Sequence, residues 1–350
     1  MTKVMMNTAQ VRPLVEVRDA ARWFDVSAPW LERVLSRKPR TMLRAVDGVS
    51  FSIRRGETLA LVGESGCGKS ITAMSLMGLL PENAVVTGSI RFDKQEMVGM
   101  NDAALRRLRG DRIGMIFQEP MTALNPVHTI GHQVAEPLRL HRGTDRAAAR
   151  AQAIALLDRV GIADAARRVD AYPHQFSGGQ RQRITIAMAL ACGPDLLIAD
   201  EPTTALDVTI QGQILDLISE LVQERGMALL LISHDLGVIA QNVDNMMVMY
   251  GGTVVESGPS ASVFSHMAHP YTRGLFGARP KLGAPRGTRL TTIAGTVPEL
   301  ADLSAGCPFF ERCTWAAPAC AQALPSATDL GSGHRANCLR LDAVAAGAKP

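Results

Sequence analysis

Residues 63–70 form a glycine-rich loop, here called the phosphate loop, whose composition suits it to holding phosphate. The loop reads GESGCGKS and lies between a short apolar stretch and a segment with helical periodicity. Its glycines let the backbone curl so that N–H groups point inward at a helix N-terminus. Its lysine supplies a cation for β and γ phosphates, and its last serine supplies a hydroxyl ligand for Mg²⁺. The predicted phosphate-binding residues are Gly63, Glu64, Ser65, Gly66, Cys67, Gly68, Lys69 and Ser70, with Cys67 in a variable position.

An acidic pair, Asp200 and Glu201, follows the apolar run 196–199. A carboxylate at the end of a buried parallel strand can reach Mg²⁺ through water, which predicts Asp200 as a metal-binding residue. Glu201 is not tied up by the metal, so it is suited to orienting or deprotonating an attacking water. The position of the pair relative to the phosphate loop indicates hydrolysis of a nucleoside triphosphate.

A second anion-binding device is expected at residues 176–180, which read FSGGQ and are called the signature segment. Ser177, Gly178 and Gly179 precede a helical stretch and would cap its N-terminus. One nucleotide does not need two cradles from one chain. We therefore interpret the signature segment as closing over a γ-phosphate held by a second subunit.

The composition is that of an ordinary globular chain of 350 residues, with 47% hydrophobic and 20% charged residues. The net charge of +4 is too mild and diffuse to argue for nucleic acid as a partner. No apolar run approaches the ~20 residues that a membrane span requires, and the first ten residues lack a secretory signal. We expect a cytosolic chain that reaches a membrane only through a partner.

Alternating strands and helices predict an α/β fold with a parallel-sheet core. Continuous apolar runs at 196–199 and 228–232 are typical of parallel strands buried on both faces, and strands are also predicted at 58–62 and 113–117. A helical block at about 119–190 predicts an inserted α-helical subdomain.

The two ends of the chain carry weaker signals. Alternating apolar residues predict two strands between 14 and 53, separated by a basic insertion, 30–44. We interpret this insertion as a solvated loop, with a docking surface as the alternative. Gly251-Gly252 predicts a β-hairpin. Beyond about residue 259 the periodicity fades, so we expect one domain over 1–259 and a C-terminal appendage over 260–350.

Four of the six cysteines lie in the last fifty residues, with the spacing C-x5-C-x6-C-x17-C. Clustered cysteines in a reducing cytosol more often hold a metal than a disulfide. Four thiolates suit a [4Fe–4S] cluster or Zn²⁺, and the absence of a C-x2–4-C pair favours iron–sulfur. With zinc, His334 could replace one ligand. The predicted ligands, here called the cysteine quartet, are Cys307, Cys313, Cys320 and Cys338.

The motifs GESGCGKS, FSGGQ and LLIADEP, with Gln118, the ALD at 205–207 and His234, resemble ABC-transporter nucleotide-binding subunits in order and spacing over about residues 14–260. The resemblance implies a P-loop NTPase (RecA-like) core with an ABC-type antiparallel β subdomain. It implies that Gln118 senses γ-phosphate and Mg²⁺ and couples to the permease, and that His234 contacts the γ-phosphate. Gln118 and His234 would act in catalysis with Glu201. Asp207 would bridge two subunits.

The resemblance also implies an aromatic ring stacked on adenine, for which Phe24 matches best and Trp23 is the alternative. In the signature segment, Gln180 matches the family, whereas Phe176 stands where Leu is usual.

Four further motifs are similar to the oligopeptide/dipeptide (peptide/nickel) importer ATPases, which carry a four-cysteine C-terminal extension. These motifs are QEPMTALNP (118–126), YPHQFSGGQ (172–180), HPYTRGL (269–275) and GCPFFERC (306–313). The resemblance implies ATP, Mg²⁺ and a [4Fe–4S] cluster as ligands. It implies as partners a second, related but different ATPase subunit, two transmembrane permeases and an extracytoplasmic solute-binding protein, at the cytoplasmic face of the inner membrane.

Di- and oligopeptides are the expected cargo, with glutathione, nickel chelates or opines as alternatives. A soluble ABC ATPase acting on ribosomes or DNA is a rival of another class. The single phosphate loop and the absence of sustained heptads argue against that rival.

Overall fold

Twelve strands were assigned in this computed structural model, which describes residues 12–27, 33, 41–204, 206–233, 243–278, 292–303 and 305–347. The strands of the described residues are β1 Val15–Asp25, β2 Met42–Ile53, β3 Thr58–Val62, β4 Ala84–Phe92, β5 Gln95–Glu96, β6 Ile113–Ile116, β7 Leu196–Asp200, β8 Ala228–Ile232, β9 Asn245–Tyr250, β10 Thr253–Pro259, β11 Thr328–Gly331 and β12 His334–Ala336.

The central sheet has the order β11-β12-β10-β9-β3-β8-β7-β6. Strand β3 pairs in parallel with β8 and β9, and β7 pairs in parallel with β6 and β8. Strands β10, β11 and β12 are antiparallel to their neighbours. A smaller antiparallel sheet has the order β2-β1-β4-β5. The predicted α/β class, with its antiparallel subdomain, is confirmed.

Helices cover the central sheet and build a separate helical block. They are α1 Lys69–Met77, α2 Asp102–Leu108, α3 Pro120–Ala123, α4 Ile130–Arg142, α5 Arg146–Arg159, α6 Ala165–Arg168, α7 Gly178–Ala189, α8 Val208–Arg225, α9 Ser260–Ser265, α10 Pro270–Gly277 and α11 Leu341–Ala345, with 3₁₀ turns at Pro173–Gln175, Phe310–Arg312 and Pro318–Ala321. Helices α3 to α7 occupy the range in which the sequence predicts the helical subdomain.

The apolar core lies on both faces of the central sheet. Alternate residues of β3 divide between the two faces, because successive side chains of a strand point in opposite directions. Ala60 and Val62 pack with the helical block and α8, whereas Leu59 and Leu61 pack with α1 and the antiparallel sheet. This two-sided burial explains the continuous apolar runs in the sequence.

The basic insertion falls largely outside the described residues, since 28–32 and 34–40 are not described. Arg44 belongs to β2, where its guanidinium carbon lies 4.9 Å from the centroid of the Trp23 ring.

Helix α1 ends at Met77 because Gly78 adopts a left-handed C-cap with φ of 62°.

The C-terminal appendage is joined to the central sheet. Strand β12 pairs with β10 through Glu256 opposite Ala336, and β11 pairs with β12. Buried Glu256 accepts hydrogen bonds from the N–H groups of Ala268 (2.8 Å) and His269 (2.9 Å). Strand β10 ends at Pro259, and the chain on both sides of that residue contributes to one sheet, so the division into domains at 259 stays a prediction.

Candidate nucleotide-binding site

The phosphate loop connects β3 to α1 at the carboxyl edge of the parallel strands. Gly63 and Gly68 have φ of 152° and 101°, in the region that favours glycine. A Cβ on Gly63 would lie 2.3 Å from the Met249 carbonyl oxygen, and one on Gly68 would lie 2.5 Å from the Ala45 oxygen. Both positions therefore require glycine for space as well as for conformation.

Lys69 is buried inside the loop, with its ammonium held by the loop's own backbone. Its Nζ donates to the carbonyl oxygens of Gly63 (2.8 Å) and Glu64 (3.0 Å). The residue is only 5% exposed. A cation held at this point faces the concave side of the loop, where a phosphate chain would lie.

Ser70 and Asp200 join α1 to the end of β7. Ser70 Oγ donates a hydrogen bond to Asp200 Oδ1 over 3.0 Å. Burial raises the pKa of Asp200, opposed by the hydrogen bond from Ser70 and reinforced by the charge of Glu201. Two oxygen donors thus converge on one point, as a Mg²⁺ site requires.

Glu201 follows Asp200 in a strained backbone conformation, with φ of 46°. Its Oε2 accepts hydrogen bonds from Gln118 Nε2 (3.1 Å) and from Thr204 Oγ1 (3.0 Å). Its N–H donates to the Ile232 oxygen at the end of β8 (2.9 Å). The carboxylate is therefore oriented by two side chains, and the backbone of Glu201 is held by the end of β8.

A cavity of about 290 Å³ lies beside the phosphate loop and is lined by Gly63, Glu64, Ser65, Lys69, Gln118, Glu201 and Leu275. A larger cavity of about 370 Å³ lies between β10 and the C-terminal appendage. It contains neither the acidic pair nor any residue of the phosphate loop, so the smaller cavity is the candidate site.

Known proteins share these features over most of the chain. A family model described as ABC transporter matches residues 46–204, and one described as oligopeptide/dipeptide transporter, C-terminal region, matches 255–320. A putative peptide import ATP-binding protein of Brucella melitensis is 50% identical over 326 residues, covering 90% of this chain and 96% of that protein.

The chain belongs to the oligopeptide/dipeptide importer family of ABC ATPases. The dipeptide transport ATP-binding protein DppD of Bacillus subtilis is 49% identical over 298 residues, covering 85% of this chain and 89% of that protein. The ATP-binding cassette MJ0796, solved as a post-hydrolysis dimer bound to ADP and Pi, matches 70% of this chain with a TM-score of 0.61 and 27% identity, over 98% of its own length. As a member of this family, the chain hydrolyses ATP in a reaction coupled to transport.

The signature segment of this ABC ATPase lies at the N-terminus of α7. Ser177 and Gln180 form a reciprocal capping box, with Gln180 N–H donating to Ser177 Oγ (3.4 Å) and Ser177 N–H donating to Gln180 Oε1 (3.2 Å). Ser177 and Gly178 are exposed. The residues that line the candidate cavity include none of the signature segment.

Of the two remaining predicted site residues, Asp207 and His234, only Asp207 lies within the described residues. Asp207 is exposed at the N-cap of α8, and its side chain makes no capping hydrogen bond. His234 lies outside the described residues, so its predicted contact with the γ-phosphate stays a prediction.

Phe24 and Trp23 lie on opposite faces of the antiparallel sheet. Phe24 is directly opposite Leu43, so their side chains share a face. Leu43 lines a cavity of about 330 Å³ together with Ser65, Gly66 and Cys67 of the phosphate loop. Of the two aromatic candidates, Phe24 is therefore on the face that meets the loop.

The four thiols of the cysteine quartet are neighbours. Burial, together with the charges of the other three quartet members, raises the pKa of Cys307 to about 12. Burial, together with the charges of Cys338 and Cys320, raises the pKa of Cys313 to about 11. Within the described residues, however, no group of three or more His, Cys, Asp or Glu side chains is arranged to hold a metal ion. The predicted metal site thus has no support from this geometry.

His334, the alternative zinc ligand, is engaged elsewhere. Its Nε2 lies 2.8 Å from Glu256 Oε1 in the buried junction between β12 and β10. This contact gives His334 a structural role in attaching the appendage to the sheet.

Sequence reasoning missed three residues of the appendage that reach the nucleotide site. Leu275 of α10 lines the candidate cavity. Tyr271 and Arg312 contact Glu64 directly. Tyr271 and Arg312 stand inside two family motifs, but no spacing rule connects those motifs with the phosphate loop.

Proposed function

We propose that this ABC ATPase binds ATP between its phosphate loop and the signature segment of a second ATPase subunit, and that hydrolysis powers import of di- or oligopeptides. The observation that carries the proposal is the convergence of Ser70, Asp200, Gln118 and Glu201 beside the phosphate loop. The names of the relatives support peptides as cargo. Glutathione, nickel chelates or opines are the alternative cargoes.

Each residue of the phosphate loop has a defined task in this proposal. The backbone N–H groups of 63–70 cradle the phosphates, and Lys69 exchanges its two backbone carbonyl partners for phosphate oxygens. Ser70, Asp200 and Gln118 would hold Mg²⁺, which neutralises charge on the β and γ phosphates when bound. Phe24 stacks on the adenine.

Glu201 is the proposed general base. It accepts the proton of the attacking water, while Gln118 and Thr204 keep its carboxylate in one orientation. His234 is proposed to contact the γ-phosphate.

The exposed N-terminus of α7 is the surface proposed to meet the partner's nucleotide. Its unpaired N–H groups and helix dipole favour an anion. Ser177, Gly178, Gly179 and Gln180 would face the γ-phosphate of the opposite subunit, and Asp207 would bridge the two subunits. ATPases of this family work as dimers with permease subunits. We propose a related but different chain as the second ATPase, two permeases and an extracytoplasmic binding protein.

We place the assembly at the cytoplasmic face of the inner membrane, with this chain as a peripheral subunit. In the described part of the chain, no helix is long and apolar enough to cross a membrane. Attachment through the permeases is part of the same proposal.

We further propose that the cysteine quartet binds a [4Fe–4S] cluster, with Zn²⁺ as the alternative. The C-x5-C-x6-C-x17-C spacing and the resemblance to importer ATPases that carry a four-cysteine extension support this proposal. Binding would require the four Sγ atoms to draw together and to lose their protons. Iron, sulfide and zinc analysis of anaerobically purified protein, with Cys313→Ser beside the wild type, tests it. Equal metal content in the two proteins would mean that the cysteine quartet binds no metal and only packs in the appendage.

The assembly is tested by affinity purification of the tagged chain from mildly solubilised membranes, followed by mass spectrometry. Two permeases and a second ATPase are expected to copurify. Recovery of ribosomal or DNA-associated proteins without a permease would overturn the importer proposal.

A further inference from the structure

Arg312 of the C-terminal appendage forms a forked ion pair with Glu64 of the phosphate loop. Arg312 Nη1 lies 2.8 Å from Glu64 Oε2, and Nη2 lies 3.3 Å from Glu64 Oε1. The two residues are 248 positions apart in the chain. Two parallel N–H···O bonds to a carboxylate are the strong, directional form of this interaction.

The guanidinium is buried where the pair forms. The side chain of Arg312 is 6% exposed and that of Glu64 is 27% exposed. Burial alone lowers the pKa of Arg312, but its hydrogen bonds with Glu64 and Tyr250 outweigh burial and raise it overall. The Tyr250 and Phe309 rings lie 5.8 and 6.0 Å from the guanidinium carbon. Nε of Arg312 donates to the Ala294 oxygen over 3.0 Å, and Nη1 donates to the Tyr250 hydroxyl oxygen over 3.3 Å.

A second appendage residue holds the backbone of Glu64. The Glu64 N–H donates to the Tyr271 hydroxyl oxygen over 2.8 Å. Tyr271 is fully buried against Tyr250 and Phe309, with ring centroids 4.7 and 5.3 Å away. Both the main chain and the carboxylate of Glu64 are therefore anchored outside the loop to which it belongs.

Glu64 lines the candidate cavity together with Lys69. A free carboxylate there would repel the phosphates of ATP, and the Arg312 guanidinium neutralises it. We propose that Arg312 is a positioning residue for ATP binding: it turns the Glu64 carboxylate towards the appendage and cancels its charge. This inference rests on the proposed role of the phosphate loop in holding ATP.

A purely structural role for Arg312 makes different predictions. If the ion pair only attached the appendage to the core, its loss would lower the stability of the protein and would reduce the affinity for all nucleotides equally. Charge neutralisation instead predicts a loss of affinity that grows with the charge of the nucleotide and shrinks with added salt. It also requires that the effect vanish once Glu64 is neutral.

The test compares Arg312→Gln, Glu64→Gln and the double variant in the full chain, with ATP, ADP and AMP titrated at low and high salt. Arg335→Gln is the matched control, because Arg335 is an exposed arginine of the same appendage. We expect Arg312→Gln to raise the Kd for ATP about tenfold, equivalent to ~1.4 kcal/mol, and to affect AMP least. Glu64→Gln and the double variant should bind ATP with equal affinity.

An equal loss of affinity for all three nucleotides, or the same loss in the Glu64→Gln background, would overturn the proposal. If Arg312→Gln does not fold, Arg312→Lys serves instead, because it keeps the charge and loses the fork, and it should lose less affinity than tenfold. Lys69→Ala tests the phosphate loop separately. Unchanged ATP binding in Lys69→Ala would refute the role of the loop itself, whatever Arg312 does.

Discussion

Gln118 Nε2 donates a hydrogen bond to Glu201 Oε2 over 3.1 Å, although the two residues are 83 positions apart. Gln118 follows β6 and Glu201 follows β7, and these strands are parallel neighbours. Parallel pairing brings their carboxyl ends to one edge of the sheet. The proposed catalytic carboxylate is thus held by a residue whose own proposed partners are the γ-phosphate and Mg²⁺.

Replacing Glu201 with Gln keeps an oxygen that accepts from Gln118 and Thr204 but removes the base. We expect ATP hydrolysis to fall by about 10²–10⁴-fold, while ATP still binds and the ATP-bound dimer accumulates. Phosphate release and size-exclusion chromatography measure the two effects. Glu220→Gln, on the exposed side of α8, is the control. Near-normal turnover in Glu201→Gln would remove Glu201 from the catalytic role.

Cys67 should react slowly with alkylating reagents. It is 2% exposed, and burial raises the pKa of its thiol against the opposing charge of Lys69. The thiolate is the reactive form. The rate of alkylation by iodoacetamide should therefore keep rising at pH values above the pKa of an ordinary cysteine. ATP should protect Cys67, since the adduct and the phosphates compete for the loop.

Peptide mapping by mass spectrometry across pH, with and without ATP, measures this reaction. Cys192 is the internal control, because burial also raises the pKa of its thiol but it lies outside the phosphate loop. Rapid modification of Cys67 at neutral pH would contradict its burial.

Ser177→Ala should lower both stability and dimer-dependent hydrolysis. Loss of the N-cap of α7 costs about 0.5–2 kcal/mol of folding free energy. If Ser177 also contacts the partner's γ-phosphate, steady-state ATPase activity should fall about tenfold, as expected for a lost charge-assisted hydrogen bond. The affinity of the monomer for ATP should not change.

Asn101→Ala provides the matched control, because Asn101 caps α2 by accepting the Ala104 N–H over 2.9 Å. Both variants should have a lower melting temperature than the wild type, and only Ser177→Ala should lose ATPase activity. Equal ATPase rates in the two variants at a temperature where both are folded would limit Ser177 to capping.

His269 should make the protein less stable in acid. Burial lowers the pKa of His269 to about 3, and its Nδ1 accepts the Tyr271 N–H over 3.1 Å. Between about pH 3 and the unfolded value of about 6.5, the unfolded chain binds a proton that the folded chain refuses. Stability should therefore rise with pH through this window, by at most about 1.4 kcal/mol per unit from this residue, and be level above it.

His269→Asn keeps an acceptor for the Tyr271 N–H and removes the titration. Urea unfolding of both proteins from pH 4 to 8 should show a flatter profile for the variant in the acid window. Parallel profiles would show that acid sensitivity arises from other groups.

The sequence predicted those parts of the fold that depend on local pattern. The parallel strands were visible because burial on both faces produces continuous apolar runs, as in β7 and β8. The Gly-Gly pair predicted the hairpin because its turn requires positive φ, and Gly251 and Gly252 have φ of 55° and 79°. Strand β4 was missed, because it is largely exposed and carries little apolar alternation.

The site divides in the same way. Loop composition and strand ends indicated Lys69, Ser70, Asp200 and Glu201. The contacts of Glu64 with Tyr271 and Arg312 depend on long-range packing, which periodicity and residue spacing do not report.

Strand β12 has a protective effect on the central sheet. It pairs with β10 at Glu256 and Ser257, and the Asn337 N–H donates to the Val255 oxygen over 2.8 Å. A chain trimmed at residue 259 would leave β10 as an open edge, with unpaired backbone N–H and C=O groups available to any other strand. Shortened versions of this ATPase should therefore aggregate through that edge, and solubility should depend on a hairpin that lies outside the ATP-hydrolysing core.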